Sequence, residues 1–124
     1  MTRPSSSITT HVLDTALGRP ARGVGVRLDV LGDAGAWQTV AERVTGDDGR
    51  VTDLLSAPLE ARTYRLTFAT GAYFAAIGRP VFYPRVDVIF QVSVAGDVTG
   101  DATGEHYHVP LLISPFGYST YRGS

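Results

Sequence analysis

The chain has no cysteine. That excludes a disulfide framework, a thiolate metal site and a cysteine nucleophile. It has no lysine either: its eleven basic residues are all arginine, and they are scattered. With a net charge of −1 there is no basic footprint for nucleic acid and no acidic tail. No stretch approaches the roughly 18 apolar residues of a membrane span. The opening MTRPSSSITT carries no apolar run of the kind found in a secretory leader. The absence of cysteine does not by itself fix the compartment. The lack of a leader-like run, with Met1 at the start, predicts a cytoplasmic chain, and the charge and hydropathy predict no nucleic-acid partner and no membrane partner. Residues 1–7, rich in Ser and Pro, are expected to form a disordered lead-in.

What is present suits one domain with a single core: 124 residues, 44% hydrophobic and 19% charged. From Ile8 onward the pattern has a period of two. Val24, Val26, Leu28 and Val30 alternate with Gly25, Arg27 and Asp29. Tyr64, Leu66 and Phe68 alternate with Arg65 and Thr67, and Val86, Val88, Phe90, Val92 and Val94 continue the theme. Each run reads as a strand with one buried face. Clusters of Gly, Asp and Pro at 17–20, 32–35, 46–49 and 56–58 punctuate the runs. One segment breaks the rhythm: Gly71-Ala72-Tyr73-Phe74-Ala75-Ala76-Ile77-Gly78 suits a short helix stopped by Gly78 and Pro80. About eight short strands and one brief helix predict an all-β sandwich or barrel. The segment 96–104 reads as a polar loop.

Few residues carry chemistry. His106 and His108 are separated by one residue, so on a strand their rings project to the same face. Such a pair suits proton transfer or metal binding; two polar residues on a solvated face is the plainer reading. The third histidine, His11, lies in another strand-like run, Thr9-Thr10-His11-Val12-Leu13-Asp14. A three-histidine zinc site is thus a further reading, although no carboxylate stands out as its supporting partner. Asp47-Asp48-Gly49-Arg50 reads as a turn in which Gly49 supplies a positive φ. Its functional reading is that the turn aims Arg50, a rigid five-donor fork, at an oxygen-rich planar group. Asp97, Asp101 and Glu105 miss the spacing of a calcium loop and read as loop solubility. No Gly-x-Ser-x-Gly elbow and no phosphate loop occurs. Composition and spacing therefore lead to a β domain with a histidine–arginine site.

Two longer motifs add to this. His11-Val12-Leu13-Asp14-Thr15-Ala16-Leu17-Gly18-Arg19-Pro20-Ala21 resembles the N-terminal signature of the transthyretin-like family. Tyr107-His108-Val109-Pro110-Leu111-Leu112-Ile113-Ser114-Pro115 resembles its C-terminal signature. The closing Tyr118-Ser119-Thr120-Tyr121-Arg122-Gly123-Ser124 resembles the ending of one branch, the 5-hydroxyisourate hydrolases. Asp48-Gly49-Arg50 and Thr70-Gly71-Ala72-Tyr73-Phe74 also fit, so the resemblance runs over residues 8–124.

The resemblance implies a sandwich of two four-stranded antiparallel sheets with one short helix, assembled as a homotetramer, a dimer of dimers. It implies hydrolysis of 5-hydroxyisourate in urate degradation, with no metal and no organic cofactor. Carried over by position, it marks His11, Arg50 and His108 as catalytic. It marks His106, Tyr121, Arg122, Gly123 and Ser124 as lining a pocket where dimers meet. The family's other branch consists of carriers such as transthyretin. The resemblance implies lysine at the place of His11 in carriers, threonine at that of His108, and no Tyr-Arg-Gly-Ser ending. The stretch 95–105 is longer than the link expected in the hydrolases.

Overall fold

The computed structural model describes residues 8–55, 59–93 and 106–123. The expected lead-in 1–7, the long stretch 95–105 and Ser124 lie outside these. Among the described residues there are nine strands and one helix. The strands are β1 (Ile8–Asp14), β2 (Arg19–Pro20), β3 (Gly25–Leu31), β4 (Trp37–Val44), β5 (Arg50–Val51), β6 (Thr63–Phe68), β7 (Val86–Gln91), β8 (Tyr107–Ser114) and β9 (Gly117–Thr120). The helix α1 (Thr70–Ala76) falls between β6 and β7. One sheet has the order β2-β1-β8-β9, with β5 also paired to β1; the other has the order β4-β3-β6-β7.

Alternation decides which residues enter the core, because successive side chains of a strand point to opposite faces. Ile8, Val12, Leu111 and Ile113 from the first sheet meet Leu28, Leu66 and Phe68 from the second, all at most 1% exposed. Burying each such side chain contributes about 1.5–3 kcal/mol. The outer face of the second sheet carries a charged network. Asp29 accepts from Arg65, Arg27 and Thr39, and the Arg65 guanidinium lies 4.3 Å over the Trp37 ring. Burial works to raise the Asp29 pKa, but these partners outweigh it and hold the carboxyl below its usual range.

The helix stops where the sequence predicts. Gly78 takes φ +70°, and the Gly78 and Arg79 amides donate back to Ala75 and Phe74. Its first residue is Thr70 rather than Gly71. Tyr73 fastens the helix to β1 by donating 2.8 Å to buried Asp14, whose other oxygen accepts the Ala16 and Leu17 amides. Burial first, and then this carboxylate, push the Tyr73 phenol up to about 12.

The two-sheet sandwich with one helix is what the resemblance implies, and it differs in detail. β1 and β8 run parallel, from Ile8↔Tyr107 to Asp14↔Ile113, whereas the other pairings are antiparallel. A parallel pair needs a long crossover, and here it comes from opposite ends of the chain. The two-residue β2 and β5 add themselves along the free edge of β1.

Candidate functional site

The pairing just described brings the sequence's scattered polar residues together. On β1, Thr9 and His11 share the face turned away from the core, since Ile8, Thr10 and Val12 point inward. On one side of β1 the parallel register sets Thr9 opposite His108 and His11 opposite Pro110. On the other side β5 sets Arg50 opposite His11. Three adjacent strands thus place Arg50, His11, Thr9 and His108 on one face.

The 46–50 turn explains why Arg50 arrives there. Gly49 takes φ +77°, and the Asp48 side chain caps the Arg50 amide at 3.0 Å. The Gly49 carbonyl accepts from the Val12 amide at 2.8 Å, which bolts the turn to β1 next to His11. Among the described residues the Arg50 guanidinium keeps only a loose ion pair, 3.9 Å to Asp48, and its side chain is 47% exposed.

His106 precedes β8 and is exposed, while His108 is half-buried within it. Their rings stack with centroids 6.4 Å apart, as the one-residue spacing predicts. The Thr9 hydroxyl lies between them, 2.8 Å from His108 Nδ1 and 3.1 Å from His106 Nε2. Burial lowers the pKa of His108, and the charges of Arg50, His106 and His11 lower it further, against a weaker opposing hydrogen bond to the Thr9 backbone. His108 is therefore neutral at neutral pH and able to accept a proton. Among the described residues no group of three or more histidines and carboxylates could hold a metal ion. The three-histidine zinc reading has no support in this geometry.

The chain's ending divides. Gly123 bridges to His108, its amide donating 2.7 Å to the His108 carbonyl. A Cβ at Gly123 would lie 2.6 Å from His108 Cδ2 and 3.3 Å from Pro110 Cγ. The backbone thus approaches the imidazole as only glycine allows. Tyr121 and Arg122 instead line a cavity of about 280 Å³ at the sandwich edge, with Val88, Phe90 and Val109. Arg122 stacks 4.2 Å over the Tyr107 ring and donates to the His106 carbonyl. In the single chain its guanidinium secures the strand end rather than joining Arg50. Gly123→Ala is expected to push the ending off the His108 ring. A fall in kcat of about tenfold or more, with a melting temperature within a few degrees of wild type, is the predicted result. An alanine variant at wild-type kcat would show that this contact has no bearing on the site.

Sequence reasoning missed Thr9. The signal was present: two residues before His11, Thr9 must share its face on any strand. What the sequence could not supply was the partner strand.

A family model described as HIUase/Transthyretin matches residues 8–123. The chain belongs to the HIUase/Transthyretin family. Among members of that family, a 5-hydroxyisourate hydrolase from Caulobacter vibrioides is 46% identical over 119 residues, 96% of this chain and 99% of that protein. The structure of Klebsiella pneumoniae 5-hydroxyisourate hydrolase superposes with a TM-score of 0.79 at 41% identity, covering 96% of this chain and all of that one. Sea bream transthyretin in complex with thyroxine gives a TM-score of 0.82 at 29% identity, covering 94% of this chain and 93% of that one. The fold is therefore shared with a 5-hydroxyisourate hydrolase and with a transthyretin, and by itself does not separate the two.

Proposed function

We propose that this chain hydrolyses 5-hydroxyisourate, opening its six-membered ring to give 2-oxo-4-hydroxy-4-carboxy-5-ureidoimidazoline in urate degradation. The observation that carries this reading is the register that sets Arg50 opposite His11 and brings both next to a neutral His108. High identity to named hydrolases supports it. Opening a cyclic acyl carbon needs an activated water, stabilisation of the developing oxyanion and a proton for the leaving nitrogen. His108 takes the proton from water through Nε2, which holds no hydrogen bond among the described residues. Arg50 binds the substrate's carbonyl oxygens and stabilises the negative charge. His11, opposite Arg50, flanks the reacting carbon on the other side. His106 supports His108. Gly123 shapes the wall, Arg122 holds the ending in place, and Tyr121 and Ser124 orient substrate or water, roles that rest on the family resemblance. The scheme uses no metal and no organic cofactor.

The proposal includes a homotetramer. The site lies on an outer sheet face with Arg50 47% exposed, and a water-excluding site needs a second wall. Exposed Phe82 and Phe116, 62% and 67% accessible and 6.2 Å apart, offer a separate apolar contact. The proposal also includes a cytoplasmic location; among the described residues no helix is long and apolar enough to cross a membrane. The carrier reading is disfavoured by His11 and His108, where the resemblance implies lysine and threonine in carriers.

The test follows the ultraviolet absorbance of freshly generated 5-hydroxyisourate with and without the protein, with the assembly sized by light scattering. Decay well above the spontaneous rate, from a tetramer, is expected. Decay at the spontaneous rate would shift the reading to a binding protein.

A further inference from the structure

Thr9 is 7% exposed, yet its hydroxyl lies within hydrogen-bond distance of two imidazoles, His108 Nδ1 at 2.8 Å and His106 Nε2 at 3.1 Å. A hydroxyl has one hydrogen and two lone pairs. Both rings can be satisfied in three ways. Both donate to Thr9, or His106 donates and Thr9 donates on to His108, or His108 donates and Thr9 donates on to His106. The first leaves a nearly buried hydroxyl hydrogen with no acceptor, since Thr9 makes no other side-chain hydrogen bond among the described residues. The second places the His108 proton on Nε2 and blocks the nitrogen that must take a proton from water. Only the third both gives the Thr9 hydrogen an acceptor and leaves His108 Nε2 free to accept.

We infer that Thr9 is a positioning residue that links His108 Nδ1–H to its own Oγ1 and its own O–H to His106 Nε2. This chain fixes the His108 tautomer and relays a proton. The inference rests on the hydrolase reading with His108 as base. When the water oxygen bonds to the acyl carbon, one water proton goes to His108 Nε2. The His108 Nδ1 proton passes to Thr9 Oγ1, and the Thr9 proton passes to His106 Nε2. The positive charge then rests on the exposed ring rather than on the half-buried one near Arg50. The reverse movement returns the proton through His108 Nε2 to the ring nitrogen of the substrate as its C–N bond breaks. No proton is gained or lost over the cycle. The relay exists only because β1 and β8 pair in parallel, setting Thr9 opposite His108.

Two arms test this. Thr9→Val removes the hydroxyl at nearly constant shape and keeps a β-branched residue on the strand. It is expected to lower kcat about 10- to 100-fold with KM within about twofold, and Thr9→Ser to restore kcat to within about threefold of wild type. The second arm needs no variant: imidazole nitrogen spectra of the histidine-labelled protein, which has three histidines to assign, are expected to show His108 protonated on Nδ1. A valine variant within threefold of wild type would overturn the relay, as would a serine variant as slow as the valine one. A wild-type His108 protonated on Nε2 would overturn it as well. A wild type that leaves 5-hydroxyisourate at its spontaneous decay would instead overturn the hydrolase reading itself, so the two failures are separate.

Discussion

Asparagine at position 108 is expected to lower kcat about 10²–10⁴-fold, the range a positioned acid–base group contributes. The amide can still meet Thr9, but it cannot take a proton from water. The fold should survive, because His108 lies on the outer face of β8 while Tyr107, Val109 and Leu111 fill the core. The wild-type pH profile carries the same signature. The neutral ring is the active form, so the rate is flat above the His108 pKa and falls as pH drops through it. That pKa is lowered from the ordinary 6.5 by burial and then by Arg50, His106 and His11, so the acid limb lies below 6.5. Arg50→Gln removes one of those charges and is expected to move the limb upward. The linkage to stability has the same sign. Above 6.5 the contribution of neutral His108 is fully present. As pH falls through the lowered folded value, the unfolded chain takes up the proton more readily and the contribution is lost. Steady-state kinetics from pH 5 to 8 on wild type, His108→Asn and Arg50→Gln check this. A His108→Asn rate within about tenfold of wild type would remove His108 from the mechanism.

Alanine at Gly49 is the substitution expected to harm stability most. Gly49 takes φ +77°, and a Cβ there would lie 2.4 Å from the Val12 carbonyl oxygen and 3.1 Å from Pro20 Cβ. The left-handed backbone alone costs an L-residue about 1–2 kcal/mol. The turn must also move away from β1, which strains the bond from the Val12 amide to the Gly49 carbonyl, worth about 1 kcal/mol. A loss of about 2–4 kcal/mol follows, read as a fall in Tm on the order of 10 °C. Activity should fall too, because the same turn delivers Arg50 opposite His11. Gly35 provides the control. It takes φ +85° with nothing within 4 Å of its Cβ position, so Gly35→Ala should cost only the backbone part. Equal melting temperatures for the two variants would show that close approach to β1 has no part in the effect.

The alternation of Val24, Val26 and Leu28, and of Tyr64, Leu66 and Phe68, determined from the sequence alone which residues form the core, because a strand has only two faces and one must leave water. Gly78 marked the helix end and Gly49 the turn, because a positive φ is a property of the residue itself. The His11, Arg50 and His108 motifs were legible as well, through likeness to a family. Their arrangement was not. The parallel register that sets Thr9 opposite His108 joins residues 99 positions apart, and no local preference encodes a pairing of that range. The two-residue β5 carries no periodic signal, yet it alone sets Arg50 opposite His11. Arg122 and Gly123 are neighbours in sequence, but one turns to the Tyr107 ring and the other lies against His108. Composition and periodicity determine what is buried. Only the pairing of β1 with β8 and β5, a tertiary event, decided which polar side chains share a face and so which of them can pass a proton.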